Sequence, residues 1–389
     1  MSNASLMNAN LTGANLVLSD LFGTNFTGAD LTGANLQQAI ISQANLSGSK
    51  LDNANLMASD LNGSNMNDAS LVFAYARRAM LRNASLVRAN FSGASLVGAN
   101  LIYADLFEAD LSDADLSDAE LHNAAFIDAK LNQVDASGAC MENSDLRGAD
   151  LTGVRLVETN LVSSNMKGLN MHRAIAMSAK MSWADLSDSR LSASQLSRVE
   201  FYGTNLSNSD MSEADLTRAY MMRANLTGSD LRHADLSYSD LSNALLRGAN
   251  LNSANLYGTA LNGADLKGAN LVSSNLQGLI LIGSNFSVTK LEDATLQGPM
   301  LIQDVNLSTT NLRNARLELI LLKNVNLTGA DLRSANLTMI MMVGVDLSNA
   351  NLEGIKYDKF SLQNILNCRL NETRMSGNLK NDLESLRTM

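Results

Sequence analysis

The groups that could do chemistry are few in these 389 residues. There are three histidines, His122, His172 and His233, and two cysteines, Cys140 and Cys368. A zinc centre asks for Cys and His at short, fixed spacings. The two cysteines offer neither a CxxC pair nor a disulfide framework. Hydrolytic and nucleotide chemistry asks for HExxH, GxSxG, a P-loop, or GxGxxG between a strand and a helix, and none is present. Serines and threonines abound, but no His and Asp are arranged to activate one. On these residues no catalytic, cofactor-binding or metal site is assigned and no cofactor is expected. Asn-x-Ser/Thr matches such as Asn10-Leu11-Thr12 arise from repetition and carry no message about glycosylation.

Composition narrows the class. Apolar residues make up 46%, aromatics 4% and charged residues 17%, with a single proline, Pro299. Disordered chains are less apolar and more charged. Enzyme cores call for large aromatics and varied loops. No apolar run reaches the roughly 18 residues of a membrane span. No basic stretch followed by an apolar one opens the chain. A cytoplasmic location is expected, with secretion by a signal-less route as the other option.

The element that positions every side chain is a repeat. Leu6, Leu11, Leu16, Leu21, Phe26 and Leu31 stand five apart, and the series runs to Leu301 through 60 slots. It resumes one residue late at Leu307 and gives ten more, ending at Leu352. Of these 70 centres, 53 are Leu, so one position of the five is reserved for a large apolar group. Two residues earlier stands a small residue, and directly before the centre Asn or Asp is usual. A period of five suits neither a helix nor a single strand. It suits a chain that turns a corner every five residues. Centre and small residue then share one axis, and four sides close a coil that stacks at about 4.8 Å. The histidines, at least ten slots apart, would be separated by about 12 Å of rise and could not share a metal.

The unit A-[DN]-L-x-x, as in Ala9-Asn10-Leu11-Thr12-Gly13, resembles the pentapeptide repeat family. The resemblance covers residues 4 to 364, about 70 copies, with weaker repeats after 354. It implies an all-β, right-handed quadrilateral parallel β-helix, a solenoid of about 17–18 coils. Counting residues, 1–377 form the β-helix and 378–389 a capping or oligomerisation helix with Leu379, Leu383 and Leu386 on one face. Ile355–Lys359 and Phe360–Asn364 read as two further slots, and the segments from Cys368 and Thr373 as the last two. Leu301 reads as a centre, with the one-residue insertion at a corner near 303–304. Ala76, Ala136 and Ala176 are the small centres and fall on one side of the square.

A filled axis leaves no pocket of the size a substrate needs, so function is expected on the outer surface. Two features rise above the repeat. The net charge of −10 is concentrated in 105–150, which holds twelve acids against Lys130 and Arg147. Asp105, Glu108, Asp110, Asp113, Asp115, Asp118 and Glu120 form this acidic belt, beside the basic patch Arg77, Arg78, Arg82 and Arg88. The second is an apolar stripe recurring every fourth slot. Its outward positions read as Ile280, Met300, Leu321 and Met341, flanked by Ile282, Ile302 and Val343 and interrupted by Lys323.

Three functions compete. The first is a non-catalytic, rigid scaffold that binds a protein through its outer surface, with a homodimer through the stripe as one form. The second is a DNA-mimic binder of a type II topoisomerase, as the resemblance to the Qnr and MfpA members implies. DNA carries a charge every 1.7 Å or so, a density that only the belt approaches. The third is a bacterial secreted effector carrying such an array. No small-molecule substrate, direct nucleic-acid contact or membrane span is expected.

Overall fold

The computed structural model describes residues 1–388. The chain folds as two compact units, residues 1–200 and 201–389. Both are built from one motif, a side of five residues that ends in a corner, and the coils form a four-sided parallel β-solenoid.

The centre N–H of Leu21 donates to the Ile40 carbonyl of the next coil at 2.7 Å, and the Gly23 N–H to Ser42 at 3.0 Å. Looking backward, the Asn25 N–H donates to Ala4 at 2.9 Å. Bridges such as Asn35↔Asn55 and Asn250↔Asn270 join residues one coil apart in parallel. Within each side, Thr24 N–H closes a turn on the Leu21 carbonyl at 3.1 Å. The corner residue is left-handed, as with Gly23 at φ 63° and Asn53 at φ 57°, which is why Gly and Asn recur there.

The Asn or Asp before each centre also has a physical reason. Its Oδ1 accepts the N–H two residues on, as Asn25 does from Thr27 at 3.0 Å and Asp235 from Ser237 at 2.9 Å. It thus satisfies a turn donor that the coil ladder leaves open. Its side-chain amide can also reach the coil below. Asn275 donates to Asn255 at 3.0 Å and Asn255 to Asp235 at 3.1 Å, forming a ladder. Centres and small residues are buried almost without exception from Leu21 onward, the three alanine centres included.

The regularity changes between Leu281 and Val343. Leu281–Ile282 (β1), Thr295–Gln303 (β2), Arg316–Lys323 (β3) and Met341–Val343 (β4) form a four-stranded parallel sheet in that order. In these coils the extended pairing runs past the single bridge that joins the other sides.

This sheet corrects the reading of the insertion. The register shift lies between Gln297 and Met300, at Gly298 and Pro299, and not near 303–304. Ile302, paired with Leu281 and Leu322, is therefore the buried centre. Met300 is the buried residue two before it, and Leu301 points outward. Pro299 is tolerated because a bulge frees its position from the ladder.

The tail is corrected as well. Phe360–Asn364 is not a repeat slot but part of a helix, Lys359–Leu366 (α1). The repeat does return after the helix, with Arg369 bridged to Asp346 and Arg374 to Asn351. A second helix, Gly377–Arg387 (α2), begins one residue earlier than expected and buries Leu379 and Leu383, while Leu386 is half-buried. Among the described residues no helix is long and apolar enough to cross a membrane.

Candidate interaction surfaces

The apolar stripe is a feature of the β1–β4 sheet. Its outward row is Ile280, Leu301, Leu321 and Met341, fixed by the pairings Leu301↔Leu321 and Leu321↔Met341. A parallel row runs Ile282, Gln303, Lys323 and Val343. Met300 and Ile302, expected on this surface, belong to the core, and Leu301 takes the outward place. Ile280 is 52% exposed, Met341 46% and Val343 45%. Leu319 and Met339 widen the stripe at the adjoining corner, and Phe360 of α1 extends it. Together with Pro299 they line a shallow apolar groove of about 480 Å³.

The helices do not cover this surface. α1 packs on the edge of β4 and closes it with polar side chains one helical turn apart. Asp358 accepts the Met339 N–H at 2.9 Å, Ser361 that of Ile340 at 3.3 Å, and Asn364 that of Met342 at 3.1 Å. Each stands where a further coil would have offered a carbonyl. Asp358 is also the N-cap of α1, bonding the Ser361 N–H at 2.7 Å, and this bond leads in holding its carboxyl below the usual range. Burial pushes the Cys368 thiol behind α1 up to about 12. α2 lies against Leu370, Thr373 and Met375 and is tied to the chain before α1 by Tyr357, whose hydroxyl donates to Asp382 at 2.7 Å.

The acidic belt sorts into two kinds of carboxylate. Asp105, Asp110 and Asp115 precede centres and cap turns, accepting from Phe107, Ser112 and Ser117. Asp110 also pairs with Lys130 at 3.1 Å. Glu108, Asp113 and Asp118 occupy left-handed corners, φ 55°, 60° and 57°, and stand exposed. The belt is therefore real surface charge, but part of it serves the backbone. In the neighbouring basic patch, Arg88 pairs with Asp68 at 2.7 Å and Arg82 lies over the Tyr103 ring.

One grouping was missed. Glu120 and Cys140 are ladder partners, and His122 and Glu142 follow each by two residues on the same side. The signal was a recurrence at 20 residues, Glu120-x-His122 above Cys140-x-Glu142, hidden because histidines were compared only with one another.

The comparisons agree with this architecture. The family model "Pentapeptide repeats" matches residues 1–38, 39–72, 77–113, 114–153, 155–192, 194–232, 229–268, 269–298 and 302–338. The chain belongs to the pentapeptide repeat family.

Among solved structures, HetL from Nostoc sp. PCC 7120, described as involved in heterocyst differentiation regulation, is 28% identical. It covers 68% of this chain and 91% of its own, with a TM-score of 0.24. Full-length QnrB1, a plasmid-mediated fluoroquinolone resistance protein, is 21% identical over 47% of this chain and 91% of its own, TM-score 0.24. Rfr23 from Cyanothece 51142 is 35% identical over 25% of this chain and 62% of its own, TM-score 0.14. No curated protein matches.

Proposed function

We propose that this pentapeptide repeat chain is a non-catalytic scaffold that binds protein through its outer surface, and that the stripe on β1–β4 is the docking face. The observation that supports this most is an apolar row, Ile280, Leu301, Leu321 and Met341, left open by both helices. Apolar patches of this kind on soluble proteins mark interaction sites. The axis is filled by centres, so a substrate has no interior site to enter.

The first occupant to test is a second copy, because a twofold axis lets an apolar stripe bury itself against its equal. Light scattering on the parent chain and on Leu301→Ser with Met341→Ser tests this. A parent of twice the chain mass and a double variant of single mass support self-docking. A parent of single mass at every concentration overturns it.

A further inference from the structure

We infer that Glu120, His122 and Cys140 form a site for a thiophilic divalent cation of the zinc class on one side of the 1–200 unit. One ligand atom from each of the three lies within 4.8 Å of the others. The set joins a thiol, an imidazole and a carboxylate, the donor types that zinc accepts together.

The geometry of His122 favours a shared ion over a plain ion pair. Its Nδ1 is buried and makes no hydrogen bond among the described residues, yet it stands 3.2 Å from Glu120 Oε2. Two ligand atoms about 2.0 Å from one tetrahedral zinc stand about 3.3 Å apart. The other nitrogen, Nε2, faces Glu142 Oε2 at 3.8 Å. Glu142 thus stands, beyond hydrogen-bond length, on the side where a ligating imidazole's remaining N–H meets a carboxylate. Glu142 is itself held by the side-chain amide of Asn160.

The backbone beneath is fixed by the coil ladder. Leu121 N–H donates to the Cys140 carbonyl at 2.7 Å and Asn123 N–H to that of Glu142 at 3.0 Å, so the ligands are placed before any ion arrives. On binding, the Cys140 sulfur gives its proton to water and the thiolate takes the metal. Three protein ligands leave a fourth position for water.

Cobalt(II) added to the reduced full-length chain tests this site. One equivalent should give a thiolate-to-cobalt charge-transfer band and the intense visible bands of a tetrahedral ion. Cys140→Ser should abolish the charge-transfer band and Cys368→Ser should keep it. His122→Ala and Glu120→Gln should weaken binding at least about tenfold, and Glu142→Gln about tenfold. Glu120 is exposed enough that its variant reports binding without a change of fold, which far-UV circular dichroism checks for all five. Absence of the band in the parent, its survival in Cys140→Ser, or its loss in Cys368→Ser overturns the site.

Discussion

Val288 carries a β-branched side chain at a corner with φ 62°. The left-handed region costs such a residue about 1–2 kcal/mol, and 56% exposure means that little packing offsets it. Val288→Asn should therefore raise stability by about 0.5–1 kcal/mol, read as a shift in thermal midpoint. The opposite test lies inside. Leu191 is fully buried, and Leu191→Asp places a carboxylate where nothing can pair with it, which should unfold the surrounding coils. Ser192→Asp, one residue on, gives up only a contact with His172 Nδ1 at 3.0 Å and should change stability by less than about 0.5 kcal/mol. Circular dichroism melts of the two variants check the assignment of inside and outside. At this scale the sequence was legible wherever residue type tracked position, as with Leu at centres. Met300, Leu301 and Ile302 were misassigned because all three are apolar, so type could not say which faced in once the frame had slipped.

α1 shows what a repeat pattern conceals at the scale of an element. Phe360-Ser361-Leu362-Gln363-Asn364 fits the five-residue template, with Leu362 as its centre. The structure instead places an N-cap at Asp358, with Ser361 and Asn364 following at helical spacing. A helix that closes a ladder must carry such acceptors, a requirement that a five-residue template does not express. Ser361 is fully buried and receives the Ile340 N–H. Ser361→Ala leaves that donor without a partner, a loss of about 1–3 kcal/mol. Hydrogen exchange at the Met339, Ile340 and Met342 amides should accelerate in this variant, while the amides of the 1–200 unit stay as they were.

For the whole molecule, charge sets two expectations. Hydrogen bonds from Arg147 and Arg333 lead in holding Asp145 and Asp331 below the ordinary carboxylate range. Each such group lends stability that is complete above the unfolded value of about 3.9. That contribution is lost as the pH falls through the lower folded value. An acid titration by fluorescence or circular dichroism should show stability flat near neutrality and falling below about pH 4. The belt supplies the second expectation. Asp110, Asp113, Asp115 and Asp118 changed to Asn keep the Oδ1 acceptors that cap turns, so the coils should stand while retention on an anion exchanger drops steeply. The same change at Asp210, Asp230, Asp235 and Asp240 should have less effect, because bases such as Arg232, paired with Asp230 at 2.6 Å, already offset these acids.

The bulge at Gly298 and Pro299 has a use beyond its own accommodation. One added residue is absorbed within a single side, since β2 is again in step with β3 by Met300. Pairing one coil away, and not a distant partner, re-establishes the frame. A grafted loop of any modest length could therefore leave the solenoid at this corner and rejoin it without rethreading. Because Pro299 borders the apolar groove, such a graft would overhang it like an awning. Insertion length at one corner would then become a dial for how much of that surface a partner can reach.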